Sequence, residues 1–144
     1  IEPEPHAELR AVIEAIREAD AIILTPSNPL VSIAPILSVP GVREALCATD
    51  ARIAAVSPIV GGKTIKGPAD RMLRDQGMAA SATTIGKLYE DFLDVLVIDK
   101  ADEALRPEIE ALGLEVAVTD TIMDSMEKKS ALSRTVLSAI AAKP

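Results

Sequence analysis

Four short apolar runs recur along the chain at intervals that each leave room for a helix: Ala21-Ile22-Ile23-Leu24, Ile53-Ala54-Ala55-Val56, Val95-Leu96-Val97-Ile98 and Glu115-Val116-Ala117-Val118. Most are continuous rather than alternating, which is the pattern of strands buried on both faces. Between them lie amphipathic or capped helical stretches. Strand alternating with helix in this way predicts an α/β fold: a three-layer, Rossmann-like, mostly parallel sheet flanked by helices. At 144 residues and 49% apolar, the chain is large enough for a single α/β unit with its own core.

In such folds ligands bind beyond the carboxyl ends of the strands. That rule selects Thr25–Asn28, Ser57–Gly67, Asp99–Asp102 and Thr119–Ser125. The first is the most informative. A strand ends at Leu24, and Thr25-Pro26-Ser27-Asn28 makes a tight polar turn before Pro29. Asn28 is a favoured helix N-cap, and Pro29 suits the first helical position, where its missing N–H is no loss. Free backbone N–H groups and small polar side chains then converge on one spot, which suits a phosphate. A capped βα turn without a ligand is the other reading.

The second loop, Ser57 to Gly67, is long for a βα connection and contains Gly61-Gly62 and Gly67-Pro68. Glycine permits close approach of backbone to a ligand. Lys63 and Lys66 add cationic reach, Lys66 being the better placed because Gly67-Pro68 fixes the chain after it. The expectation is a mobile clamp; a plain surface loop is the alternative. Asp99, Asp102, Asp120 and Asp124 sit at strand ends and have the chemistry to hold magnesium through water, but each is also well placed as a helix cap.

Composition removes several classes of function. The net charge is −7 without a basic run, so nucleic acid is not an expected partner. His6 and Cys47 are the sole histidine and cysteine, which leaves no triad, no internal disulfide and no cysteine-based zinc site. His6 is expected at the solvent-facing start of the first helix, Pro5 to Glu18. No apolar run approaches a membrane span, and no signal peptide is visible, so the expected location is cytoplasmic. Tyr89 and Phe92 are the only aromatics and share a face if helical, as core anchors.

Thr25 to Leu46, TPSNPLVSIAPILSVPGVREAL, resembles the hallmark segment of the 2-phospho-L-lactate transferase family of coenzyme F-420 biosynthesis. The family usually has Gly at the position of Thr25. Ala55 to Leu73, Tyr89 to Asp102 and Thr119 to Ile140 agree in the same order, so the resemblance runs through nearly the whole chain. It covers the family's C-terminal half only. The start at Ile1 fits that, and residues 1–144 are expected to be the C-terminal portion of a larger transferase domain.

The resemblance implies a transfer reaction. A 2-phospholactate or phosphoenolpyruvate group moves from a guanylyl diphosphate-linked donor to a deazaflavin alcohol, and GMP is released. It implies magnesium, with ligands mainly outside this chain. The sheet face or edge that should meet the absent half is expected to be exposed, and apolar edges promote association, so the isolated chain is expected to be aggregation-prone or dimeric, as a homodimer. Thr25, Ser27, Asn28, Ser57, Gly61, Gly62, Lys66 and Gly67 are the expected substrate-binding residues; no catalytic residue is assigned. A non-catalytic, nucleotide-sugar-binding regulatory protein of the same superfamily is the alternative, against which Ser27-Asn28-Pro29 argues. This chain alone is expected to be inactive.

Overall fold

A computed structural model describes residues 6–142. The first helix, α1, spans Ala7–Glu18 with exposed His6 at its N-cap; the expected start at Pro5 lies outside the described residues. The strand β1, Ala21–Leu24, leads into a π-helical turn at Pro29–Ile33 and then into α2, Ala34–Leu37. Next come α3, Val42–Ala48, and β2, Arg52–Val56. A small hairpin follows, β3, Ile59–Val60, and β4, Lys63–Thr64. It is followed by α4, Ala69–Asp75, α5, Ala82–Tyr89, and β5, Val95–Asp99. A 3-10 segment at Lys100–Leu105 runs into α6, Arg106–Glu110. The described chain closes with β6, Glu115–Thr119, and α7, Met126–Ala141.

The main sheet has the order β1-β2-β5-β6, and every neighbouring pair is parallel. The expected α/β architecture is therefore present. One face carries Ile53, Ala55, Leu96 and Ile98 into a core closed by residues of α3, α4, α5 and α6, among them Leu46, Leu73, Ile85 and Ile109. Fully buried side chains such as Leu96 and Ile85 each contribute roughly 2 kcal/mol on burial. On the other face Ala54, Val56, Val95 and Val97 pack under a single helix, α7, through Leu132, Val136 and Ile140.

Several local expectations are corrected. β1 is not a buried strand but one edge of the sheet, and Ile23 remains 43% exposed. Being apolar does not place a run at the centre; only the pairing partners do. The amphipathic pattern of α1 predicts a helix packed on a sheet, but α1 leans on α3 with none of its residues fully buried. The apolar stripe predicted for the last helix includes Leu137 beside Leu132, Val136 and Ile140; Leu137 is exposed, because it stands about 100° around the helix from Val136. A brief strand predicted at Met78 to Ser81 is loop, and Ser81, where Thr83 or Thr84 is the predicted cap, caps α5 by accepting the Thr84 N–H at 3.2 Å. The pattern also predicts one helix from the Asp99 cap through Ala111, but Pro107 at the start of α6 has no N–H to continue the preceding turn, and the helix is split.

Tyr89 and Phe92 are buried with ring centroids 5.7 Å apart, as core anchors. Burial raises the Tyr89 hydroxyl to about 12. Arg43 closes this corner. Its Nε and Nη2 each donate to Asp91 at 2.7 Å, Nη2 also reaches the Leu88 carbonyl, and the guanidinium lies 5.3 Å from the Phe92 ring centre.

Candidate functional site

The carboxyl ends of the parallel strands frame a cleft of about 510 Å³. The β1 turn supplies Pro26 and Asn28. The segment from β2 to α4 supplies Ser57, Pro58, Val60, Thr64, Ile65, Lys66, Gly67, Pro68 and Ala69. The β6–α7 connection supplies Thr121, Ile122, Met123 and Asp124, and α7 adds Lys129.

Asn28 is placed by two local bonds. Its Oδ1 accepts the N–H groups of Leu30 at 2.9 Å and Val31 at 3.3 Å, which caps the π turn. Its Nδ2 faces the Met72 sulfur at 3.5 Å. The side chain is thus held at the cleft wall with its carbonyl already committed. The π turn takes the place of the expected α-helix from Pro29. Ala34 N–H reaches back five residues to the Pro29 carbonyl, and Pro35, with no N–H, cannot continue either ladder. Thr25 and Ser27 stay outside the cleft lining, their hydroxyls 3.0 Å apart.

The loop expected to be a mobile clamp contains a small braced hairpin, with Lys66 and Gly67 following it. Gly61 and Gly62 form its turn at φ +57° and +82°, backbone that L side chains rarely adopt, and they do not line the cleft. Ser57 is buried, and its hydroxyl both accepts the Ile59 N–H and donates to the Ile59 carbonyl at 3.2 Å. Arg74 donates to the Gly62 carbonyl at 3.0 Å. The Thr64 hydroxyl lies 2.7 Å from the Gly67 carbonyl and 2.8 Å from Asp70 Oδ1, a contact that holds the Asp70 carboxyl below the usual range. The structure therefore brings Asn28, Ser57, Lys66 and Gly67 together in the cleft and leaves Thr25, Ser27, Gly61 and Gly62 outside its lining.

The strand-end carboxylates are engaged. Asp99 is buried; its Oδ1 accepts the Ala101 N–H at 2.9 Å and its Oδ2 the Thr121 N–H at 2.9 Å and the Thr121 hydroxyl at 3.1 Å. Asp102 does not close a capping box with Asp99. It accepts the Gly61 N–H of the hairpin. Asp120 and Asp124 both pair with Lys128, at 3.3 and 3.2 Å. Among the described residues no three His, Cys, Asp or Glu side chains gather in a way that could hold a metal ion.

Two cations in the cleft are free. Lys66 and Lys129 line it, and neither ammonium has an ion-pair partner among the described residues. Around them the walls are apolar, with exposed Ile65 and Met123 on the β4–α4 and β6–α7 segments. Thr121, Met123 and Lys129 are the main residues that sequence reasoning did not single out. The strand-end rule points to the Thr119–Ser125 loop, but within it only Asp120 and Asp124 stand out as candidate ligands. Chemically, the cleft offers two cations, neutral polar groups and apolar walls to a ligand that is anionic at one end. No aromatic side chain lines it.

Comparison with known proteins identifies the family and the fold. The family described as 2-phospho-L-lactate transferase CofD matches residues 1–139. The chain is 43% identical over 129 residues to the 2-phospho-L-lactate transferase of Methanothermobacter thermautotrophicus, covering 90% of this chain and 42% of that protein. It is 41% identical over 127 residues to a phosphoenolpyruvate transferase of Kitasatospora aureofaciens, covering 88% and 40%. The chain thus spans about two fifths of the length of these curated relatives. Among solved structures, protein BH3568 from Bacillus halodurans has the same fold, with a TM-score of 0.58 at 20% identity over 89% of this chain and 46% of that one.

Proposed function

The chain belongs to the 2-phospho-L-lactate transferase CofD family, and we propose that its cleft is the donor-binding part of a transferase in coenzyme F-420 biosynthesis. The donor is a guanylyl diphosphate-linked 2-phospholactate or phosphoenolpyruvate, and the acceptor is a deazaflavin alcohol. The observation that carries this reading is the meeting of Asn28, Ser57, Lys66 and Gly67 at the carboxyl ends of β1 and β2, in a cleft with free cations.

The chemistry is an in-line displacement at phosphorus. The hydroxyl oxygen of the alcohol bonds to the phosphorus that carries the three-carbon acid. The bridging P–O bond breaks, GMP departs with the electron pair, and the hydroxyl proton passes to solvent or to the leaving phosphate. Such a reaction asks the protein for positioning and electrostatics more than for covalent chemistry. Asn28 and the braced hairpin give a rigid wall, and Lys66 offsets phosphate charge. Magnesium would neutralise further charge; the engagement of Asp99, Asp120 and Asp124 supports ligands mainly outside this chain. The buried positions of Tyr89 and Phe92 support a ring-stacking seat for the acceptor outside this chain.

For these reasons residues 1–144 alone are read as binding donor without turning it over. The exposed edge strand β1 fits a homodimer contact, and a cytoplasmic location goes with the family reading. The test is to mix residues 1–144 with magnesium, the deazaflavin alcohol and the guanylyl donor, with and without the remaining part of a family enzyme. GMP release only in the mixture supports the reading, and Lys66→Ala should then lower donor affinity or turnover by at least about tenfold. Full-rate release by residues 1–144 alone overturns the division of labour.

A further inference from the structure

Lys129 lies outside the strand-end stretches, yet it has the same two properties as Lys66. It lines the cleft, and its ammonium has no carboxylate partner among the described residues. The two lysines reach the cleft from different elements, Lys66 from the β4–α4 loop and Lys129 from the first turn of α7. The one carboxylate in the lining, Asp124, is held by Lys128 at 3.2 Å. In a chain with a net charge of −7, two unpaired cations facing one cleft are a local reversal of sign.

We propose that Lys66 and Lys129 form a two-sided clamp for a diphosphate group, with Lys129 as a positioning residue for the transferred end of the donor. The inference rests on the placement of the donor in this cleft. A lysine ammonium is a compact point charge with three donors. One phosphate is satisfied by one such group, whereas linked phosphates can meet two cations from two walls. The apolar rim formed by Ile65 and Met123 lowers the local dielectric and strengthens both contacts. Breaking the diphosphate during transfer separates the charges on which the clamp acts. The nucleoside monophosphate then keeps only one of the two contacts, which favours its release.

The test uses inorganic pyrophosphate, orthophosphate and GDP with residues 1–144, read by calorimetry and by the NMR signals of the lysine side chains. Pyrophosphate should bind at least about tenfold tighter than orthophosphate, and should shift both the Lys66 and the Lys129 signals. Lys129→Gln and Lys66→Gln should each weaken pyrophosphate about tenfold and remove the preference, Lys129→Arg should restore most of it, and Lys87→Gln on α5 should change nothing. Because Lys129 is exposed, thermal unfolding of its variants should match the parent, which separates a lost contact from a lost fold. Pyrophosphate binding by Lys129→Gln within about twofold of the parent, or no preference for pyrophosphate in the parent, overturns the clamp. If the lysine variants behave as expected but GDP fails to displace pyrophosphate, the clamp stands and the placement of the guanylyl donor fails.

Discussion

The buried carboxylate of Asp102 accepts the Gly61 N–H at 3.2 Å through both of its oxygens, across 41 residues of chain. This contact fastens the turn of the β3–β4 hairpin to the end of β5, and with it one wall of the cleft. Asp102→Ala should therefore release the hairpin. Amide hydrogen exchange at Gly61 should accelerate by at least about tenfold, while exchange in β2 and β5 stays unchanged. Asp102→Asn, which keeps one carbonyl acceptor, should retain most of the protection. Unchanged exchange in Asp102→Ala would mean that the hairpin is held elsewhere.

The same carboxylate gives a pH dependence of unusual sign. Burial pushes Asp102 above the usual carboxylate range, the Gly61 N–H opposes that shift, and the charge of Asp99 adds to it. Folded Asp102 then holds its proton more tightly than the unfolded chain does, so its contribution to stability falls as pH rises through that window. Asp91 behaves in the opposite way. Its bonds to Arg43 hold it below the usual range, so its contribution is present above the unfolded pKa and is lost as pH falls through the folded one. Asp91→Asn should lower stability at neutral pH by about 0.5–1 kcal/mol, the pair being partly exposed, and the difference should vanish in acid. Thermal melts of both proteins from neutral pH into acid measure this directly; a constant difference would remove the Arg43 pair as its source.

Asn28→Ala should cost about 0.5–2 kcal/mol, because the N–H groups of Leu30 and Val31 lose their cap. Asn28→Asp should recover most of that loss, since a carboxylate caps as well. If the two variants are equally destabilised, the cap is not the source of the effect.

Ile23 stands on the edge strand in register with Ala54, on the α7 side of the sheet, and is left exposed there. In a homodimer that uses the β1 edge, Ile23→Lys should shift residues 1–144 to monomer in sedimentation at micromolar concentration. A dimer that survives the substitution would place its contact away from β1.

The sheet was legible because its strands are continuous apolar runs, and pattern alone placed all four. Their order was not. Ala21–Leu24 is as apolar as Val95–Ile98, and only long-range pairing decides that the first is an edge and the second is central. The π turn left a signal in Pro35, whose missing N–H interrupts a regular α-helix across Asn28–Leu37. Gly61-Gly62 was read as a close approach to ligand, although the same pair between short strand-forming residues also marks a hairpin turn. Thr121 lies in the Thr119–Ser125 stretch without standing out there as a ligand-binding side chain, and Lys129 lies beyond that stretch. They reach the cleft because β6 lies beside β5 and because Ser125 starts α7, accepting the Lys128 N–H at 3.2 Å.

The most direct test of the account is a titration of residues 1–144 with GDP, followed by backbone and side-chain NMR shifts. The account predicts that the largest shifts fall on Asn28, Ser57, Lys66, Thr121 and Lys129, around one cleft. Saturable shifts confined to another surface, such as the opposite end of the sheet around Thr49, Asp50 and Asp94, would contradict it.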